Sequence, residues 1–106
     1  MQKEGIFMLN IRKTVDQKML TLALEGRLDT VTAPELEKAI AESLPGTETL
    51  VIDFSGLDYI SSAGLRVLLS AQKQMNLQGS MRLTNVDSTI MEIFEVTGFS
   101  DILTIQ

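Results

Sequence analysis

The feature that most constrains the fold is a change of hydrophobic period along the chain. Phe7, Leu9 and Ile11 alternate with Met8, Asn10 and Arg12, and Leu20, Leu22 and Leu24 alternate with Thr21, Ala23 and Glu25. Period two places the two sets on opposite faces of a half-buried strand. The polar Asp16-Gln17 turn between the runs predicts an antiparallel hairpin over residues 7–12 and 19–25. After Gly26-Arg27-Leu28-Asp29 the period becomes helical. Thr32-Ala33-Pro34-Glu35 reads as a helix start, with Thr32 as N-cap, Glu35 reaching back to it and Pro34 in the first turn. Leu36, Ala39, Ile40 and Leu44 follow at helical spacing, and Pro45-Gly46 ends the helix.

The brief, β-branched run Leu50-Val51-Ile52 predicts a strand covered on both faces, running into Asp53-Phe54. Residues 55–62 read as a loop, and a second helix is expected from about Ala63, burying Leu65, Leu68, Leu69 and Met75. Met81–Val86 alternates as a fourth strand. Asp87-Ser88-Thr89 caps a third helix, with Thr89 and Glu92 at capping-box spacing, Ile90, Ile93 and Phe94 inward, and Gly98 at its end. Ile102–Ile105 reads as a short last strand. The order β-β-α-β-α-β-α-β predicts an α/β fold, a mixed sheet of about five strands with three or more helices packed on it. It spans one domain over residues 1–106, with loose ends at residues 1–5 and Gln106. Met8, Met19, Met75, Met81 and Met91 are expected as core or core-edge filler.

Composition excludes several kinds of chemistry. With no Cys and no His, the chain makes no disulfide, no Cys/His zinc site and no Ser-His-Asp or Cys-His catalytic set. A net charge of −5 with scattered Lys and Arg argues against direct nucleic-acid binding. No apolar run approaches the roughly 20 residues that cross a bilayer, so no membrane insertion is expected. Gly5-Ile6-Phe7-Met8-Leu9 is too short for a signal core, which predicts a cytoplasmic protein.

The informative segment is Asp53 to Leu69, read as strand, loop and helix. Sites in open α/β sheets gather at the carboxyl ends of strands, where helices begin. Ser62 falls there. A serine before a helix acts as an N-cap, and the same hydroxyl suits a phosphate, because helix starts favour negative charge. The two readings are compatible. As a nucleophile it lacks a base, since Lys73 lies about three turns along the same helix. Gly56 and Gly64 match no nucleotide-binding pattern; Gly56 suits a turn and Gly64 close packing in the first helical turn. Asp29, Asp53 and Asp58 match no calcium loop and are expected to cap or solvate turns. No cofactor or metal is expected.

The segment DFSGLDYISSAGLRVLL, Asp53 to Leu69, resembles the signature of STAS-domain anti-sigma factor antagonists. The resemblance runs over nearly the whole chain: Gly26-Arg27-Leu28-Asp29, Leu83-Thr84-Asn85-Val86 and Phe94-Glu95-Val96-Thr97-Gly98-Phe99 look like further family elements. It implies a STAS-like sheet and a phospho-accepting serine at Ser62, which precedes a small residue and glycine. Many members carry Asp where this chain has Ser61, and Ser or Thr where it has Ala63, so Ser61 becomes a secondary acceptor candidate. Relatives often carry a further C-terminal helix, so a less covered sheet edge or face is expected to favour self-association, and a monomer or weak dimer is expected.

The resemblance also implies a mechanism. The unphosphorylated protein binds an anti-sigma factor that is itself a serine kinase, releasing a sigma factor. Phosphorylation by that kinase with ATP breaks the complex, and a serine phosphatase restores it. The protein is then not an enzyme. The expected partner surface is Asp29 and Thr30, Asp58, Tyr59 and Ser61, and Ala63, Gly64 and Arg66. The alternative is a STAS scaffold subunit of a transporter or signalling assembly that is not phosphorylated, with Ser62 only a cap.

Overall fold

The computed structural model describes residues 8–106. The expected strand start at Phe7, the loose ends at residues 1–5 and the apolar stretch from Gly5 to Phe7 lie outside the described residues. The hairpin forms from β1 (Leu9–Asp16) and β2 (Met19–Leu28), with Leu9 opposite Gly26 and Asp16 opposite Met19. There follow α1 (Ala33–Ser43), β3 (Thr49–Ile60), α2 (Ser62–Gln78), β4 (Ser80–Thr84) and α3 (Ser88–Thr97). The sheet order is β1-β2-β3-β4; β2 pairs β3, and β3 pairs β4, in parallel. Among the described residues four strands form rather than about five. The expected strand at 102–105 makes one parallel bridge, Leu83 with Ile105, held by Leu83 N–H to the Thr104 carbonyl and Gln106 N–H to the Leu83 carbonyl.

The crossovers β2-α1-β3 and β3-α2-β4 step the same way across the sheet, so right-handed connections bring their helices to one face. The core lies there. Leu20, Leu22 and Leu24 of β2, Leu50, Ile52 and Phe54 of β3, and Met81 and Leu83 of β4 pack with Leu36 and Ile40, Leu65 and Leu68, and Ile90 and Phe94 from the three helices. Each fully buried side chain of this kind contributes about 1.5–3 kcal/mol. The Phe54 and Phe94 rings meet edge to face, 6.1 Å between centroids. Residues 50–52 are all buried, as a strand covered on both faces requires. Val51 is buried but stands outside this cluster, on the helix-free face, in register between Thr21 and Arg82. Of the methionines, Met75 and Met81 are buried, whereas Met8 is exposed.

The largest departure lies in β3. The expected loop from residue 55 is strand as far as Ile60. Ala23 pairs Asp53 and Glu25 pairs Gly56; Gly26 pairs Leu57 and Arg27 pairs Tyr59. At each step β3 advances one residue more than β2, so it carries two bulges. The inward residues therefore fall at Phe54, Leu57 and Ile60, and this spacing of three hides the strand from a period-two reading.

Two caps also differ. Thr32 occupies the N-cap position of α1, but its hydroxyl bonds backward to the Arg27 carbonyl (2.7 Å) rather than into the helix. The α3 cap is Asp87, whose carboxylate accepts from Ile90 N–H at 2.8 Å, in place of the Thr89–Glu92 box. Gly98 ends α3 at φ 83°, as expected of a terminal glycine.

On the helix-free face, Asp53 accepts from Asn85 Nδ2 and from Ser55 N–H, each at 2.9 Å. Chiefly the Asn85 bond, then the Ser55 bonds and the Arg12 charge, outweigh partial burial and hold its pKa below the ordinary 3.8. A depressed carboxylate stabilises the fold above its unfolded pKa and loses that contribution as pH falls through the folded value. Urea midpoints measured from pH 6 to pH 3 should therefore fall more steeply for wild type than for Asp53→Asn; parallel curves would exclude the effect. Gly64 gives a second prediction. A Cβ there would stand 2.7 Å from Leu28 Cγ and 3.0 Å from Ile60 Cγ1, and both neighbours are buried. Gly64→Ala should cost about 1–3 kcal/mol in urea unfolding through overpacking, less up to about 1 kcal/mol of gained helix propensity. A variant as stable as wild type would show that this contact has slack.

Candidate functional site

The site forms where β2 and β3 end side by side. Arg27 pairs Tyr59 and Leu28 pairs Ile60, and the ladder closes with Ser61 N–H donating to the Leu28 carbonyl at 2.9 Å. Beyond that rung both chains turn toward their helices, α1 and α2.

On the β2 side the turn is locked by Asp29. Its Oδ1 accepts from the N–H groups of Val31 and Thr32, each at 3.0 Å, while its own N–H donates to Thr32 Oγ1 at 2.9 Å. The Thr32 N–H bond does most to lower the Asp29 pKa, against a smaller opposing effect of burial and with help from the Thr32 hydroxyl, Val31 and Arg27. Arg27 Nε lies 3.5 Å from Asp29 Oδ2, and its guanidinium sits 4.2 Å from the Tyr59 ring centroid. Asp29, Arg27 and Tyr59 thus brace one another. Thr30 and Val31 are exposed at the tip of this turn, Val31 at 77%.

On the β3 side one residue separates strand from helix. Ser61, extended at φ −104° and ψ 175°, is the N-cap of α2, and its carbonyl accepts from Leu65 N–H at 3.0 Å. The helix begins one residue earlier than expected, and with β3 running on to Ile60 only Ser61 lies between them. Ser62 is therefore the first helical residue and not the cap. It is exposed. The Ser61 hydroxyl is buried and has no hydrogen-bond partner among the described residues, so it makes no cap bond. Ala63 is half-buried, Gly64 is buried beneath Leu28 and Ile60, and Arg66 is exposed one turn along.

Of the residues singled out in the sequence, the fold gathers Asp29, Thr30, Asp58, Tyr59, Ser61, Ser62, Ala63 and Arg66 at this end of the sheet. A shallow groove of about 240 Å³ joins the two sides, lined by Thr30, Pro34, Glu37, Ala63 and Arg66 among others. Gly64 lies underneath it and contributes the close approach of α2 to the sheet. Sequence reasoning missed Val31. Its signal was an apolar residue between Thr30 and Thr32, inside a turn that Asp29 organises. Chemically the site offers an exposed primary hydroxyl at a helix start, flanked by an apolar tip, a braced aromatic ring and the exposed Arg66, which makes no ion pair among the described residues. A second groove of about 510 Å³ runs between α1 and α2, lined by Ile40, Leu44, Ala71, Gln74 and Gln78 among others, with Glu37 its one ionisable group. No helix among the described residues is long and apolar enough to cross a membrane.

Comparison with known proteins agrees with this geometry. The STAS domain model matches residues 10–106. BtrV of Bordetella bronchiseptica, assigned to the anti-sigma factor antagonists, is 40% identical over 86 residues, covering 79% of this chain and 74% of BtrV. The crystal structure of an anti-sigma factor antagonist from Mycobacterium paratuberculosis superposes with a TM-score of 0.83 at 21% identity, over 92% of this chain and 84% of that one. The antagonist SpoIIAA from Bacillus, 18% identical, superposes over 92% of this chain in both states. Its unphosphorylated form gives a TM-score of 0.73 over 87% of that chain, and its phosphorylated form 0.72 over 91%. With the family model spanning all but the first nine residues, and the strand-to-helix junction built as above, the chain belongs to the STAS domain family of anti-sigma factor antagonists.

Proposed function

We propose that this chain works as a phospho-switched antagonist. Unphosphorylated, it binds an anti-sigma factor that is also a serine kinase, and so frees a sigma factor. Phosphorylated on Ser62, it lets that partner go, and a serine phosphatase resets it. All of these partners act in the cytoplasm. The observation that carries the reading is the contrast between neighbouring hydroxyls: Ser62 is exposed at the first position of α2, while the Ser61 hydroxyl is buried. A kinase needs the acceptor oxygen within reach, which favours Ser62 over Ser61. The existence of SpoIIAA in phosphorylated and unphosphorylated forms supports the same reading by fold analogy.

The step is a transfer of the γ-phosphoryl group from ATP to Ser62 Oγ. The P–O bond to the β-phosphate breaks, ADP leaves, and the kinase takes up the hydroxyl proton. The product adds about −1.5 to −2 charge at neutral pH to a chain whose net charge is already −5. Placed in a closely packed interface, that dianion conflicts with the partner in both shape and charge, at a cost of several kcal/mol. The protein itself is a binding module and not an enzyme. The partner surface is Asp29, Thr30 and Val31 on one side of the groove, Asp58 and Tyr59 beside it, and Ser62, Ala63 and Arg66 on the other.

Intact mass after incubation with the cognate kinase and ATP tests the acceptor. Wild type and Ser61→Ala should each gain one phosphate, and Ser62→Ala none. Labelling of Ser62→Ala would move the site, and no labelling of any form would favour the unswitched scaffold. Phosphorylation should then weaken anti-sigma factor binding by about a thousandfold, equivalent to about 4 kcal/mol, in calorimetry. Tyr59→Ala should weaken it by about 10–30-fold, as for a centrally placed aromatic. Unchanged affinity for Tyr59→Ala would remove that ring from the interface.

A further inference from the structure

We infer that a phosphate on Ser62 is clasped by Arg66 on the same helix, so that phosphorylation withdraws a cation from the partner surface as well as adding an anion to it. This rests on the phospho-switch reading and concerns the regulation of the same site.

The geometry starts from helix periodicity. Ser62 and Arg66 stand at i and i+4 on α2, and residues four apart share a face with about 5–6 Å between Cβ atoms. Helical side chains lean toward the N-terminus, so Arg66 extends back over the turn that holds Ser62. Both residues are exposed. Arg66 makes no ion pair among the described residues, although it shares its groove with Glu37. A cation in the first turns of a helix also faces the positive end of the helix dipole, and α2 has no acidic residue in its first turn to offset it. A phosphate dianion one turn back meets that need. Arginine matches phosphate with parallel N–H···O bonds. The other arginine at this end, Arg27, is already placed against Asp29 and over Tyr59.

In the unphosphorylated state Arg66 projects into the groove shared by Thr30, Glu37 and Ala63, available to a carboxylate of the partner. In the phosphorylated state it folds back onto the phosphate. The one modification changes two features of the surface.

The test uses the full chain with phosphoserine genetically encoded at position 62, which needs no kinase. The phosphate is followed by ³¹P NMR from pH 4 to 9 in the wild-type background and with Arg66→Gln or Arg66→Lys. The second phosphate ionisation should sit about 0.15–0.4 pH unit lower with Arg66 than with Gln, with Lys in between. The Arg66 Nε–H resonance should also move on phosphorylation. Superimposable titration curves for all three proteins, or an unmoved Arg66 resonance, overturn the clasp. Arg66 is exposed, so equal thermal midpoints are expected and confirm that the variants fold. Failure of a kinase to label Ser62 would sink the partner-switch reading but leave this titration intact. Superimposed curves would sink the clasp alone.

Discussion

The candidate site hangs from the last rungs of the parallel β2–β3 pair. Arg27 opposite Tyr59, Leu28 opposite Ile60, and the bond from Ser61 N–H to the Leu28 carbonyl fix where both strands stop. They also fix where α1 and α2 start. Gly64 then lets the first turn of α2 lie directly on Leu28 and Ile60. Backbone hydrogen bonds set the direction of the chain here, and close packing sets its depth. Without both, the Asp29 turn and the Ser62 turn would have no fixed relation to each other.

The two bulges in β3 decide which serine faces outward. A regular strand in register with β2 would reach the Leu28 rung two residues sooner than it does. The extra residues delay the strand end to Ile60, which makes Ser61 the cap with its hydroxyl turned in, and Ser62 the exposed first residue of the helix. Two adjacent residues of the same chemical type thereby take opposite environments. An asparagine side chain on the helix-free face, Asn85, holds Asp53 at the point where the first bulge begins, which ties β4 to the same registration.

Much of this architecture can be read from residue patterns, because burial on one face leaves a period behind. Leu20, Leu22 and Leu24 mark β2, Leu36 and Ile40 mark α1, and Gly98 marks the end of α3 for a steric reason that no neighbour alters. The misreadings share a cause. Each depended on a partner in space. Period two fails in residues 55–60 because the bulges answer to β2, not to β3's own sequence. Thr32 has an acceptor behind it, the Arg27 carbonyl, only once β2 extends that far. The last strand shrinks to one rung because its pairing depends on how far the chain after α3 lies along β4. At the site, the Ser62 motif was legible through its resemblance to a family. The exposure of Val31 and the bracing of Tyr59 by Arg27 needed the fold.

The bracing bears on how the proposed switch at Ser62 would act. A phosphate placed on a mobile loop can be relieved by moving the loop. Here the residue before Ser62 is pinned to Leu28, the residues after it enter a helix that buries Gly64, Leu65, Val67 and Leu68, and the facing turn is tied through Asp29. Backbone relaxation is therefore a costly response to the added charge. What remains free to move is the exposed Arg66 side chain. In the proposed switch, rigidity around Ser62 would thus work twice. It would hold the unmodified surface ready for a partner at low ordering cost, and it would force a phosphorylated surface to express its new charge instead of absorbing it. A site of this kind needs no second fold to have two states.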